Sequence, residues 1–288
     1  MKVAVTGASG FIGRHVLSAL KKHNVDIVAV TRNALRMKDF DASVCIVKMD
    51  IAVPPVDCFE CLGKPDVLIH LAWDGLPNYN SLHHFETELS IQYQFLKMMV
   101  ESGLSSLLVT GTCFEYGMQS GALSEAMPTK PSNPYGYAKD MLRQQLQYLK
   151  FTIPFNFTWG RLFYMYGEGQ SKNSLFPLLK EAALRGDQVF NMSGGEQLRD
   201  YLPVEEVACQ LVWLALEQRD MGAINICSGN PISVRKLVEQ WVLQNNWNIE
   251  LNLGYYSYPD YEPMAFWGDN QLSSQIGIEL NKQSEALS

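Results

Sequence analysis

Residues Thr6 to Gly13 read Thr-Gly-Ala-Ser-Gly-Phe-Ile-Gly. This stretch restricts the fold more tightly than any other in the chain. The apolar alternation Val3-Ala4-Val5 runs into it, and a helical pattern from Phe11 follows it. One glycine permits a tight turn, a second lets the backbone approach a pyrophosphate, and a third lets helix and strand pack closely. The N–H groups and positive dipole end of the following helix then meet the anion. The loop therefore predicts a dinucleotide held through Gly7, Gly10, Phe11, Ile12 and Gly13.

Short β-branched runs alternate with helical patterns beyond the loop. Strands are expected near Lys2–Thr6, Asp26–Thr31, Ser43–Lys48, Asp66–Leu71, Ser106–Thr110 and Phe155–Phe163. Helices are expected near Phe11–His23, Leu82–Ser102 and Pro134–Lys150. Alternation of this kind, with nearly continuous apolar strands, means an α/β fold with a doubly wound parallel sheet. After about Gly167 the order changes, and helices fit Asn173–Arg185, Val204–Glu217 and Val234–Asn245. The expected organisation is a Rossmann-type body over 1–166, to which 196–228 return. A smaller mixed α/β substrate-binding part covers 167–195 and 229–288. The helix from Leu82 carries Phe85, Leu89, Leu96, Met99 and Val100 at the spacing that packs on a sheet. A second stripe through Ile91, Tyr93 and Phe95 fits a homodimer interface.

The chain has 288 residues, 47% of them hydrophobic, which is ample for a large core. Its net charge of -7 argues against nucleic acid or an anionic membrane as partner. No targeting segment precedes the first strand, and no apolar run approaches the ~20 residues of a membrane span, so a cytoplasmic setting is expected. The six cysteines are scattered and do not suit a disulfide framework. Cys58-Phe-Glu-Cys61 is a lone C-x-x-C without a second pair, so no metal site is expected.

The second strand bears on the choice of cofactor. A site for NAD usually ends that strand in Asp or Glu, on the ribose 2′-hydroxyl. Here Arg32 and Asn33 stand in that place, and Asp26 lies at the opposite end of the strand. An arginine there pairs with a 2′-phosphate, which a carboxylate would repel. The expected cofactor is NADPH, with NADH second.

Tyr135 and Lys139 form Y-x-x-x-K on a helix that Asn133 can cap and Pro134 can start. Four residues apart, they share a face. A free tyrosine has a pKa of ~10, and a neighbouring ammonium is expected to lower it, so that the phenol exchanges a proton with a carbonyl or alcohol oxygen. Thr112, in Thr110-Gly111-Thr112-Cys113-Phe114-Glu115-Tyr116-Gly117, is placed to hold that oxygen.

With these motifs in order, the chain resembles the extended short-chain dehydrogenase/reductases, in their nucleotide-sugar epimerase, dehydratase and reductase branch. Asp50-Ile51 matches the pair that contacts adenine in that family. His70-Leu71-Ala72 matches the strand end beside the cofactor. Thr112, Tyr135 and Lys139 match the catalytic set. Arg161 to Gly167 resembles an R-x-x-N-x-Y-G segment. Arg199-Asp200-Tyr201, continued by Val204-Glu205-Glu206-Val207-Ala208, resembles a motif whose arginine meets the substrate diphosphate. The resemblance implies cofactor contacts from Leu71, Ala72, Thr110, Tyr135, Lys139 and Leu162. It implies substrate contacts from Trp73, Thr112, Cys113, Tyr135, Tyr164 and Arg199. Tyr164 departs from the family's Asn, Trp73 replaces a small residue, the helix asparagine is missing, and the tail lacks an obvious second arginine.

A 4,6-dehydratase of this family carries Asp-Glu directly after the catalytic hydroxyl residue, where this chain has Cys113-Phe114. An epimerase-reductase places its cysteine two residues after that hydroxyl, and here Phe114 stands there. The resemblance therefore implies NADPH-dependent reduction of the 4-keto group of a nucleotide-diphosphate 4-keto-6-deoxyhexose, dTDP-4-keto-6-deoxyglucose first, in deoxysugar and O-antigen synthesis. A UDP-sugar 4-epimerase with bound NAD and a non-catalytic dinucleotide-sensing protein are the alternatives.

Overall fold

The computed structural model describes residues 1–40, 42–258 and 260–277. In chain order the main elements are β1 (Lys2–Thr6), α1 (Phe11–Leu20), β2 (Asp26–Thr31), β3 (Val44–Lys48) and β4 (Val67–His70). Then come α2 (Leu89–Glu101), β5 (Ser106–Thr112), α3 (Pro134–Thr152), β6 (Asn156–Leu162) and α4 (Leu175–Arg185). The series ends with α5 (Val204–Leu216), β7 (Gly222–Ile226) and α6 (Val234–Gln244). The seven strands form one parallel sheet in the order β3-β2-β1-β4-β5-β6-β7. The order reverses between β1 and β4, so their carboxyl ends open the crevice where such sheets bind ligands.

The strands are buried on both faces, which is why they read as continuous apolar runs. On one face, Val16, Leu17 and Leu20 of α1 join Val207, Leu211 and Val212 of α5 over Val3, Val5 and Ile69. On the other, Phe95, Leu96 and Met99 of α2 join Leu142 and Leu146 of α3 over Leu68, Leu107 and Val109. A separate cluster of Leu179, Ala182, Leu237, Val238, Trp241 and Ile249 lies between α4 and α6. Among the described residues no helix is long and apolar enough to cross a membrane. The last residues of the expected C-terminal part, 278–288, lie outside the described residues.

Three local expectations are corrected. The continuous helix from Leu82 is a wide π-helical turn, His84–Glu88, that leads into α2. Phe95 belongs to the sheet-facing core at 1% exposure, not to an outer stripe, because Gln92, Phe95, Leu96 and Met99 all turn inward. The strand Gly222–Ile226 went unread; it is short, and its buried Asn225 interrupts the apolar pattern.

A buried polar knot joins β5 to β6. The Glu115 carboxylate accepts Thr112 N–H at 2.8 Å, Trp159 Nε1–H at 2.9 Å and Arg161 Nε–H at 2.7 Å. Arg161 also donates to the Tyr116 hydroxyl at 3.0 Å, which in turn donates to Asn225 Oδ1 at 2.8 Å. Both charges are buried, at 0% and 2% side-chain exposure. Removing one partner would strand the other without water. Glu115→Ala is therefore expected to lower the free energy of unfolding by about 3–5 kcal/mol in urea titrations. A loss below about 1 kcal/mol, the range of an exposed pair, would show that the knot does not hold the strands together.

Candidate active site

The glycine loop turns where the sheet order reverses. Gly7 has φ +67°, and a Cβ there would lie 2.8 Å from the Ala72 amide nitrogen, so only glycine lets β1 and β4 close at this level. Gly10 is the N-cap of α1 and makes no side-chain cap bond. The N–H groups of the first turn, at Phe11, Ile12 and Gly13, therefore have no side-chain acceptor competing with a pyrophosphate. The donor set fits a dinucleotide.

The remaining residues expected around that cofactor fall along the same edge. Leu71 and Ala72 follow β4, Leu162 ends β6, and all three are half-buried. Thr110 is buried in β5 and donates to the His70 carbonyl. Asp50 is exposed and accepts Ala52 N–H at 3.0 Å, while Ile51 packs beside the core. Asn33 caps the 34–37 turn through Leu35 N–H at 3.0 Å. Arg32 is exposed at the end of β2, with its guanidinium 3.7 Å from Asp74 Oδ1.

Tyr135 and Lys139 sit on the first turns of α3, with Asn133 as cap through Gly136 N–H at 2.8 Å. Gly136 seats this helix on the turn after β5, because a Cβ there would lie 2.6 Å from the Phe114 carbonyl oxygen. Lys139 Nζ donates to the Thr110 carbonyl at 2.9 Å and lies 4.0 Å from the centre of the Trp73 ring. Tyr135 is enclosed by the rings of His84, Tyr79, Trp73 and Phe114, at centroid distances from 5.2 to 6.5 Å.

This enclosure reverses the electrostatic expectation for Tyr135. Burial pushes its phenol well above the ordinary value, and neighbouring Tyr79, Glu115 and Cys113 add to the shift. Burial also pulls Lys139 down to about 7, against the pull of Glu115 and Glu88. The Lys139 ammonium is 5.9 Å from the Tyr135 ring and turned to a carbonyl, so desolvation outweighs its help to a phenolate.

Thr112 ends β5, and its hydroxyl accepts Phe114 N–H at 3.3 Å in a capping box closed by Glu115. Cys113 is buried, and desolvation drives its thiol far up, so it is a small neutral wall rather than a nucleophile. Tyr164 donates to Glu262 Oε1 at 2.6 Å.

Arg199 is not open, as a diphosphate contact would require. It donates to Glu262 Oε2 at 2.9 Å and to the Leu198 and Met264 carbonyls, and lies 4.4 Å from the Phe266 ring centre. Its side chain is 4% exposed. Asp200, beside it, is structural and accepts the N–H groups of Ser228 and Gly229 at 2.8 and 2.9 Å.

Several residues at the site went unread in the sequence. His84 and Gln92 are fully buried, and Glu88 is 4% exposed. Gln92 Nε2–H donates to the Glu88 carboxylate, so its carbonyl oxygen must face His70 Nε2–H, and His70 Nδ1 then accepts from Thr6 Oγ1 at 2.9 Å. That order needs a neutral imidazole, and burial lowers His70 to about 3. The signal was present in the sequence. His84, Glu88 and Gln92 lie four apart, a spacing that on a regular helix shares one face. Glu262 and Tyr79 carried no such signal.

The family model described as "NAD dependent epimerase/dehydratase family" matches residues 3–227. Among curated proteins, the chain is 29% identical over 270 residues to the dTDP-6-deoxy-L-talose 4-dehydrogenase (NAD(+)) of Aggregatibacter actinomycetemcomitans, covering 93% of this chain and 99% of that one. It is 26% identical to the CDP-abequose synthase of Salmonella typhimurium over 207 residues, covering 71% and 67%. Among solved structures, MoeE5 in complex with UDP-glucuronic acid and NAD superposes with a TM-score of 0.80 at 25% identity, covering 96% of this chain and 92% of that one.

The Arg199–Glu262 pair generates a direct test. If Arg199 is the diphosphate contact, an incoming diphosphate would compete with the Glu262 carboxylate for one guanidinium. Glu262→Gln is expected to bind UDP or dTDP about tenfold more tightly, read as a larger thermal shift, and Arg199→Met is expected to abolish the shift. Equal shifts in Glu262→Gln and the parent would mean that the diphosphate binds elsewhere.

Proposed function

From the premise that the chain belongs to the NAD dependent epimerase/dehydratase family, we propose that it is a nucleotide-sugar 4-ketoreductase. Its substrate would be a nucleotide-diphosphate 4-keto-6-deoxyhexose, with dTDP-4-keto-6-deoxyglucose as first choice. The observation that carries this reading is the α3 pair itself: a buried, protonated Tyr135 one turn from Lys139, seated against the strand end that bears Thr112. The relative named a 4-dehydrogenase supports it. Removing hydride at C4 of a sugar and reducing its 4-ketone are one interconversion read in two directions.

The bound nicotinamide would supply the hydride to the sugar C4. Tyr135 then gives its phenolic proton to the C4 oxygen. A phenol kept protonated by burial suits a donor rather than a resting base. Lys139, anchored on the Thr110 carbonyl, pairs with the phenolate left behind. Thr112 holds the C4 oxygen, and Arg199 takes the diphosphate once Glu262 has moved aside. The uncovered N–H groups of the glycine loop hold the dinucleotide pyrophosphate.

Arg32 supports NADPH, through a charge-assisted bond to the 2′-phosphate. The Asp74 carboxylate beside it and the NAD(+) in the relative's name favour the other cofactor. If Arg32 is the selector, Arg32→Ala raises KM for NADPH about tenfold and leaves KM for NADH alone; equal changes in both would remove Arg32 from that role. The alternative reading is a UDP-sugar 4-epimerase, favoured by the UDP-sugar and NAD together in the MoeE5 complex.

The deciding experiment mixes the protein with dTDP-4-keto-6-deoxyglucose and follows reduced nicotinamide at 340 nm. Stoichiometric oxidation is expected, reduced about 10²–10⁴-fold in Tyr135→Phe. No net oxidation with either cofactor sinks the reductase. The pH profile has a defined sign. Tyr135 stays protonated through neutrality, whereas the Lys139 ammonium is lost as pH rises through about 7. The kcat/KM for reduction is therefore expected to fall above about pH 7.

A further inference from the structure

The segment between β4 and the His84–Glu88 turn crosses over Tyr135 and Lys139, and His84 is its hub. This histidine is fully buried. Its Nδ1 accepts the Trp73 indole N–H at 3.1 Å, and its Nε2–H donates to the Asn78 carbonyl at 2.8 Å. An indole can only donate and a carbonyl can only accept, so both bonds together require the neutral Nε2–H tautomer. One side chain thus ties the start of the segment, Trp73, to its middle, Asn78, and to its end. Two more bonds secure the same stretch: Asp74 N–H to Glu88 Oε1 at 2.9 Å, and Tyr135 N–H to the Tyr79 carbonyl at 3.1 Å.

This clasp holds the Trp73 ring over the ammonium of Lys139, 4.0 Å from Nζ to ring centre. Nζ also donates to the Thr110 carbonyl at 2.9 Å. We propose that His84 is a positioning residue: it clamps Trp73 over Lys139 and so keeps water from the amine that partners Tyr135. The reading rests on the role given to Lys139 above, and adds to it the residue that sets the amine's surroundings.

Magnitudes fix the direction of the effect. A desolvated cation–π contact favours the ammonium by about 1.5 pH units. Burial moves a lysine the other way by up to about 3–5 units. Desolvation is also the largest influence on Lys139. Loosening the clamp therefore rehydrates the amine and raises its titration midpoint. The other groups acting on Lys139 are Glu115 after β5, Glu88 before α2 and Tyr135 on its own helix, with neutral His70 at the end of β4. None of them is bonded to His84 or Trp73.

The test reads Lys139 in two ways across pH. One is its acetylation by acetic anhydride, located by peptide mass spectrometry. The other is the basic limb of kcat/KM. In His84→Leu both midpoints are expected to move up by about one unit. His84→Asn keeps an acceptor near the Nδ1 position and should restore both towards the parent. Trp73→Phe keeps a ring but deletes the indole donor, so it should move them as His84→Leu does, and it probes the same bond if His84→Leu fails to fold. The double variant should shift no further than either single one, since both break one bond. Unmoved acetylation midpoints in both single variants would overturn the clamp, as would additive shifts in the double variant. A shift in acetylation without a shift in kcat/KM leaves the clamp standing and overturns the catalytic role of Lys139 instead.

Discussion

Three N–H donors, from Thr112, Trp159 and Arg161, converge on the carboxylate of Glu115. This convergence fixes where β5 ends and how the following turn leaves the sheet. The turn is the seat for α3, because Gly136 lies flush against the Phe114 carbonyl. The position of Tyr135 over the strand end therefore depends on a fully buried carboxylate bonded only to its own chain's donors. Such a group is costly to desolvate and is tolerated only because every lone-pair direction it uses meets a donor.

Desolvation then sets the character of the site. It keeps Tyr135 protonated, silences the Cys113 thiol and brings Lys139 to about 7. At Arg199 a charge partner is in place instead, the Glu262 carboxylate at 2.9 Å. The surroundings of Tyr135 and of Arg199 thus differ in kind. A dry aromatic enclosure surrounds Tyr135, and a compensated ion pair holds Arg199, the residue proposed above for the diphosphate.

Much of the fold was legible because its constraints are local. The glycine loop needs positive φ at Gly7, the strands need two-sided apolar cover, and Asn133 and Pro134 supply the cap and first-turn residue of α3. The same holds for the strand-end placing of Thr112 and the shared face of Tyr135 and Lys139. What stayed hidden depends on contacts distant in sequence. Arg199 looked available because its partner, Glu262, lies 63 residues away. Tyr135 looked acidic because spacing reports the nearby lysine but not the four rings around the phenol. The turn at His84–Glu88 was read as ordinary helix because hydrophobic period does not distinguish a wide turn from a regular one.

In the reductase reading proposed above, one hydride passes to C4 of a nucleotide sugar and one proton to the oxygen it bears. Isotope transfer tests it most directly. With nicotinamide deuterated at the transferring C4 position and dTDP-4-keto-6-deoxyglucose as acceptor, one deuterium is expected at C4 of the product sugar by NMR, with an equal amount of oxidised cofactor. Deuterium that stays on the cofactor, or a 4-hydroxy sugar substrate epimerised at C4 with no net change in cofactor, would contradict it.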